Sequence, residues 1–212
     1  GVIPDPGNVA PHIKAMVESV DRSVGAIIAS LRRWKLDRNT LVIFTSDNGG
    51  YLTYGKNFRN ISSNGPLRGQ KAQLYEGGHR VPFIASWPGR IAPGTTAATA
   101  HSTDLFPTFA DLAGADSSGR KLDGVDLLPL LTERTPLPDR TLYWRKSRDR
   151  AARQGLWKLC VVGEKPQLYH LGADLGEQID LAAKHPDRVR QMTAAWQRWE
   201  DDVNQSATQF EQ

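Results

Sequence analysis

The fold of this chain is decided by residues 40–49, which read TLVIFTSDNG. The run LVIF has no polar residue among its apolar ones, a pattern typical of a strand covered on both faces in a parallel sheet. It ends at Asp47, Asn48 and Gly49, and open parallel α/β sheets bind their ligands at the carboxyl ends of the strands. The segment therefore predicts an α/β fold with its functional site where this strand ends.

Asp47 and Asn48 are the candidate metal ligands. A carboxylate and an amide oxygen suit Ca²⁺ or Mg²⁺, which take oxygen ligands. Asp-Asn-Gly is also a good turn sequence, and by pattern alone the turn is the simpler interpretation. Two ligands do not complete a calcium site, which takes about six to eight oxygens.

A second informative stretch is residues 65–91, GPLRGQKAQLYEGGHRVPFIASWPGRI. Its Lys71 is the candidate catalytic residue, with an ordinary surface-loop lysine as the alternative. The glycines around it either let the loop approach a ligand closely or only form turns. Glu76 and Arg80 flank a glycine pair and are predicted to form a structural ion pair that holds the lysine loop. Residues 80–87 are predicted to be a second buried strand.

The segments around these two are predicted to be mainly helical. Apolar residues recur every three or four positions from Ile13 to Trp34, which predicts a long helix beginning near Pro11 and packing its apolar stripe on the core. Residues 102–112 predict a helix capped by Ser102 or Thr103, with Leu105, Phe109 and Leu112 directed inward and Gly114 as its stop. The stretch 115–140 is loop-like. Short strands are predicted at 141–144, 155–162 and 167–171, and a covering helix from about Pro186. We expect two domains, residues 1–130 and 131–212.

Five motifs in order carry a family resemblance: the strand with SDNG, then GPLRGQK, YEGGHRVPFIASWPG, TDLFPT and LDGV. The series resembles the C-terminal half of type I, formylglycine-dependent sulfatases of the alkaline phosphatase superfamily. It implies the C-terminal part of an alkaline-phosphatase-like sandwich, followed by a small antiparallel sheet and a terminal helix. It also implies that Asp47 and Asn48 bind a divalent cation, generally Ca²⁺ with Mg²⁺ as the alternative, and that Lys71 contacts the sulfate. His79 departs from the family pattern, and we expect an ordinary exposed histidine there, with a substrate-side contact as the alternative.

The resemblance further implies a formylglycine made from the first residue of a Cys/Ser-x-Pro-Ser-Arg motif. No such string occurs in the 212 residues. We therefore interpret the chain as a fragment that is inactive alone and expect the formylglycine in a missing N-terminal portion, its main partner. The implied substrate is a sulfate ester, aryl or carbohydrate, and the identity of the nucleophile precursor stays open.

Two alternative functions stay open, one suggested by the charge of the chain and one by the resemblance. Lys and Arg number 27 and Asp and Glu 23, a net charge of +4, and Arg145, Arg148 and Arg150 could bind sulfated polyanions in a non-catalytic domain. A phosphoester or phosphonate hydrolase of the same superfamily is the other alternative. Cys160, the single cysteine, is predicted to be a buried structural thiol. Neither a membrane nor nucleic acid is expected as a partner. The compartment stays undetermined, with a periplasmic or extracellular location compatible with a full-length sulfatase.

Overall fold

The computed structural model describes residues 9–117 and 119–208. The chain is α/β, with small antiparallel sheets and a C-terminal helix. The helices are α1 (Ala10–Arg33), α2 (Glu76–His79), α3 (Leu105–Leu112), α4 (Leu128–Glu133) and α5 (Pro186–Thr208). The strands are β1 (Val42–Thr45), β2 (Thr53–Tyr54), β3 (Phe58–Arg59), β4 (Phe83–Ser86), β5 (Thr141–Lys146), β6 (Asp149–Gln154), β7 (Trp157–Val162) and β8 (Lys165–His170). No helix in these two ranges combines the length and the apolar character that crossing a membrane requires.

The described residues group into two compact units that do not follow chain order. The first unit contains the residues up to Ser19, Ser46–Pro82 and the residues from Arg140 onward. The second contains Val20–Thr45 and Phe83–Asp139. The proposed division into domains at residue 130 stays a prediction.

The first unit is built on the antiparallel meander β5-β6-β7-β8. Strand β6 has the sequence DRAARQ and was not predicted, because it has neither large apolar nor β-branched residues. Its Ala151 and Ala152 are nonetheless buried. The sheet packs on Met192 and Trp196 of α5, in a core completed by Leu159 and other residues of the sheet. The predicted antiparallel sheet with a covering terminal helix is therefore confirmed.

In the second unit, strand β1 pairs with β4 in an antiparallel two-stranded ladder, with Val42 opposite Ser86. The prediction of a parallel sheet with β1 covered on both faces is wrong for the described residues. Phe44 of β1 is 37% exposed and Ile84 of β4 is 58% exposed. A continuous apolar run reflects a need for burial, and it carries no information about the direction of the neighbouring strand.

The apolar stripe of α1 was predicted to be core and is exposed instead. Helix α1 contains no buried residue, and Met16 and Ile27 are more than half exposed. The same correction applies to α3, where Phe109 and Leu112 are exposed and the buried residue is Thr108. The stripes have the correct helical period. The prediction was wrong because it assumed that another element of these 212 residues always covers an apolar stripe.

Asp104 organises the loop that precedes α3. It is fully buried and accepts hydrogen bonds from His101 N at 2.7 Å and Val125 N at 3.0 Å. The predicted caps were Ser102 and Thr103. The structure instead has His101 as the cap of the short 3-10 turn Ser102–Asp104 that leads into α3, because the His101 ring accepts from Thr103 N. Gly114 has φ +64° and follows the end of the helix as predicted.

Candidate functional site

The turn that follows β1 presents the two candidate metal ligands. Asp47 is exposed and Asn48 is half-buried. Ser46 Oγ donates to Asn48 O at 3.0 Å, and Asn48 Nδ2 donates to Gly49 O at 3.2 Å. The second bond uses the amide nitrogen of Asn48, so the amide oxygen keeps its capacity to coordinate a cation.

Backbone contacts join this turn to the lysine-bearing loop. Gly49 N donates to Gly78 O at 3.0 Å, and Lys71 N donates to Gly50 O at 3.3 Å. A Cβ on Gly49 would lie 1.8 Å from Gly77 O. Only glycine allows the turn to approach helix α2 so closely.

Asn64 strengthens the same junction. It accepts from Gly50 N at 2.9 Å, and its Nδ2 donates to Gly50 O at 2.8 Å and to Gly69 O at 3.0 Å. One side chain thus bonds both segments. Sequence reasoning missed Asn64, and the Asn-rich character of the loop was the only signal available.

Lys71 itself is half-buried. Its ammonium lies 5.5 Å from the centre of the Tyr51 ring, on whose face it can rest by a cation–π interaction. A compact ammonium with freedom to turn is suited to stabilising charge on an anionic group. The structure therefore brings the backbones of the Asp47–Asn48 turn and the Lys71 loop together, while the roles of the three side chains stay predictions.

The donor set fits a hard divalent cation only in part. Asp47 and Asn48 supply the oxygen chemistry that Ca²⁺ and Mg²⁺ prefer. Within residues 9–117 and 119–208 there is no cluster of three or more His, Cys, Asp or Glu side chains that could hold a metal ion. Two side chains leave most of the roughly six to eight positions of a calcium site unfilled.

A buried ionic cluster adjoins α2. We call Glu76, Lys158 and Glu177 the Glu76 cluster; all three are fully buried. Lys158 Nζ lies 2.8 Å from Glu76 Oε1 and 3.1 Å from Glu177 Oε1. Arg80 and Arg153 each reach Glu76 Oε2 at 3.3 Å, so the predicted Glu76–Arg80 ion pair is confirmed. The sequence analysis did not predict that Lys158 and Glu177 belong to this cluster. A lysine inside the apolar strand sequence WKLCVV could have indicated a buried ion pair.

The two carboxyl groups of the Glu76 cluster respond differently to Lys158. Burial alone would raise the pKa of Glu76, but the Lys158 ammonium, together with His79 and Arg153, more than offsets this and lowers that pKa. Burial raises the pKa of Glu177, and Lys158 offsets this only in part. Glu76 is therefore the more acidic of the two carboxyl groups.

Arg68 fastens the lysine-bearing loop to the sheet. Its guanidinium lies 3.9 Å from the centre of the Tyr75 ring. It donates to Tyr169 Oη at 2.9 Å and to Glu177 O at 2.8 Å. The loop is thus tied to β8 and to the segment that carries Glu177.

His79 is not the exposed histidine that was predicted. Its side chain is 18% exposed and stacks on Trp144 with ring centres 4.5 Å apart. Its Nε2 lies 3.1 Å from Leu74 O and 3.0 Å from Lys158 Nζ. The residue is held at the border of the Glu76 cluster because α2 turns it toward the sheet.

Cys160 is a buried structural thiol, as predicted. It is fully buried, and burial raises the pKa of its thiol to about 12. Lys158, two residues earlier, offsets this only in part. A thiol in this setting is not a nucleophile at physiological pH.

The basic segment considered for polyanion binding is partly engaged by other side chains and bordered by carboxylates. Arg145 pairs with Glu200 at 3.2 Å and donates to Asn204 at 2.8 Å, and Arg150 lies over the Trp196 ring at 4.9 Å. A groove of about 540 Å³ near this segment contains two arginines and three carboxylates: Arg148, Arg150, Asp149, Glu164 and Glu200. This balance of charge does not favour a polyanion.

Comparisons with known proteins give one consistent result. Residues 9–115 match the family model described as Sulfatase. The chain is 33% identical to N-acetylgalactosamine-6-sulfatase of Sus scrofa over 88% of its own length and 42% of the relative. It is 47% identical to steryl-sulfatase of Rattus norvegicus over 54% of its length and 21% of the relative. The crystal structure of Ps i-CgsB in complex with k-i-k-neocarrahexaose superposes with a TM-score of 0.79 at 32% identity, covering 87% of this chain and 41% of that one. The chain therefore spans at most about two fifths of these relatives.

Proposed function

The chain belongs to the sulfatase family, and from this membership we propose that the protein of which it forms part is a sulfuric ester hydrolase. The observation that carries the proposal is the junction in which Lys71 N donates to Gly50 O. It places the lysine-bearing loop beside the turn that bears the candidate metal ligands. The relatives named above are sulfatases, which favours sulfate esters over phosphoesters or phosphonates.

Asp47 and Asn48 are the residues that would hold the divalent cation, Ca²⁺ or Mg²⁺. A cation bound there supplies positive charge that offsets the negative charge developing on the sulfate group. Lys71 contributes a second positive charge from a different segment. Its ammonium binds a sulfate oxygen and stabilises negative charge as the ester oxygen departs.

The remaining chemistry belongs to residues outside this chain. A formylglycine in an N-terminal portion would supply the nucleophile. The exposed apolar residues of α1, β4 and α3 support the existence of such a portion, since large apolar surfaces of soluble proteins are normally covered. On this proposal the 212 residues alone do not turn over a sulfate ester.

The substrate we propose is a sulfate ester of a sugar. Support comes from the relatives that match this chain over nearly its whole length, which include N-acetylgalactosamine-6-sulfatase and Ps i-CgsB bound to an oligosaccharide. Steryl-sulfatase matches over 54% of the chain.

The test is Lys71→Ala in the complete protein, assayed with N-acetylgalactosamine 6-sulfate and with an aryl sulfate. We expect kcat to fall by about 100-fold or more, because a charge that stabilises the transition state is lost. Lys165→Ala is the matched control, since Lys165 is an exposed lysine on β8. A wild-type protein that hydrolyses neither ester, or a Lys71→Ala variant with unchanged kcat, would refute the assignment.

A further inference from the structure

Helix α2 lies at the centre of the candidate site although none of its side chains was assigned a catalytic role. Its Gly78 O accepts from Gly49 N, next to the candidate metal ligands, and its Gly77 N donates to Arg68 O at 2.7 Å, in the Lys71 loop. A Cβ on Gly77 would lie 2.4 Å from Gly69 O. Both segments of the site therefore rest directly on the backbone of α2.

The Glu76 cluster holds α2 at its first residue. Glu177 Oε2 accepts from Glu76 N at 2.7 Å, which fixes the first residue of the helix. Lys158 Nζ binds the Glu76 side chain at 2.8 Å, and the same ammonium lies 3.1 Å from Glu177. One ammonium thus ties the backbone and the side chain of Glu76 to strand β7.

The burial of these three side chains makes this arrangement costly to change. A buried carboxylate that loses its charged partner either stays ionised without water or a counter-charge, which costs free energy, or takes up a proton. The cluster is fully satisfied, because none of the buried side-chain nitrogen and oxygen atoms in the described residues lacks a hydrogen-bond partner. Such a network favours a single position of α2 over its alternatives.

We propose that Lys158 is a positioning residue that sets the site through α2. It touches neither substrate nor cation, and it fixes the spacing between the Asp47–Asn48 turn and the Lys71 loop. The inference rests on the proposed function for the identity of the site. The position of α2 can be measured independently of any activity.

The experiment compares Lys158→Met with wild type in the complete protein by site-resolved amide hydrogen exchange and steady-state kinetics. The amides of Gly49 and Gly77 report on the position of α2, and the amide of Met192 in α5 reports on the rest of the unit. We expect faster exchange at Gly49 and Gly77 with little change at Met192. We also expect kcat to fall about 10- to 100-fold with a smaller change in KM.

Two further variants make the result decisive. Lys165→Met removes an exposed lysine from β8 in the same manner and should change neither readout. Glu177→Gln removes one charge of the cluster while keeping an oxygen acceptor. It replaces Lys158→Met in the exchange measurement if Lys158→Met does not fold, and the same faster exchange at Gly49 and Gly77 is expected.

Exchange that rises equally at Met192, or stays unchanged at Gly49 and Gly77, would overturn the positioning role of Lys158. A wild-type protein without sulfate ester hydrolysis would instead overturn the proposed function. The exchange measurement would still decide the role of Lys158 in that case.

Discussion

Replacing Gly49 by alanine tests the contact on which the candidate site depends. The new Cβ would lie 1.8 Å from Gly77 O, and contacts shorter than 3.0 Å essentially never occur. The obstacle is a backbone carbonyl, which cannot rotate away as a side chain can. The turn bearing the candidate metal ligands must therefore move from α2 by about 1.2 Å before the contact is tolerable.

The size of the effect follows from that displacement. Overpacking a close contact costs about 1–3 kcal/mol in the free energy of unfolding, and more where the backbone must move. A catalytic group misplaced by about 1 Å lowers the rate by about 100-fold. We expect Gly49→Ala to show both losses, measured by urea denaturation and by kcat/KM for a sulfate ester in the complete protein.

Gly25→Ala in α1 is the matched control, because the substitution is identical and nothing lies within 4 Å of the new Cβ. Neither glycine has a positive φ, so the two variants differ in packing alone. Gly25→Ala should stabilise the helix by about 0.5–1 kcal/mol and leave kcat/KM unchanged. Equal stability and activity for Gly49→Ala and wild type would show that the turn does not rest on α2.

Two further predictions concern the buried groups of the first unit. The thiol pKa of Cys160 is raised to about 12, and the thiolate is the reactive form of a cysteine. Cys160 should therefore react with a disulfide reagent at about pH 8 only when urea unfolds the protein. Rapid labelling under native conditions would contradict its burial. Glu76 has a lowered pKa, so the stability it contributes is present above the usual glutamate value of 4.5 and is lost as the pH falls through its folded value. Glu177, with a raised pKa, contributes in the opposite sense, its stabilisation being lost as the pH rises through its folded value. Glu76→Gln should therefore weaken the loss of stability seen in urea denaturation from about pH 7 down to 3, and an unchanged pH profile would show that Glu76 is not the acid-sensitive group.

Several parts of the structure could be predicted because their signals are local. The helical period from Ile13 and the apolar face of the terminal helix predicted α1 and α5. The glycine pair between Glu76 and Arg80 suggested the ion pair that α2 forms. These features depend on residues only a few positions apart, for which sequence spacing determines geometry.

The partners of these elements could not be predicted in the same way. The direction of β4 against β1 and the exposure of Met16 depend on what lies beside an element, not on its own residues. Strand β6 was missed because its alanines are buried only by the neighbouring strands and α5. Interpretation of the pattern failed where burial is decided by chain segments far away in sequence.

The sequence by itself determined which residue types meet the chemical requirements of the site. It identified Asp47 and Asn48 as oxygen donors after a strand, Lys71 as a cation in a glycine-rich loop, and the family through five ordered motifs. Only the tertiary structure decided that Lys158, 82 positions from Glu76 along the chain, pairs with it. A buried charge is stable only where its partner is also present, and such a pairing is made by the fold and not by nearness in sequence.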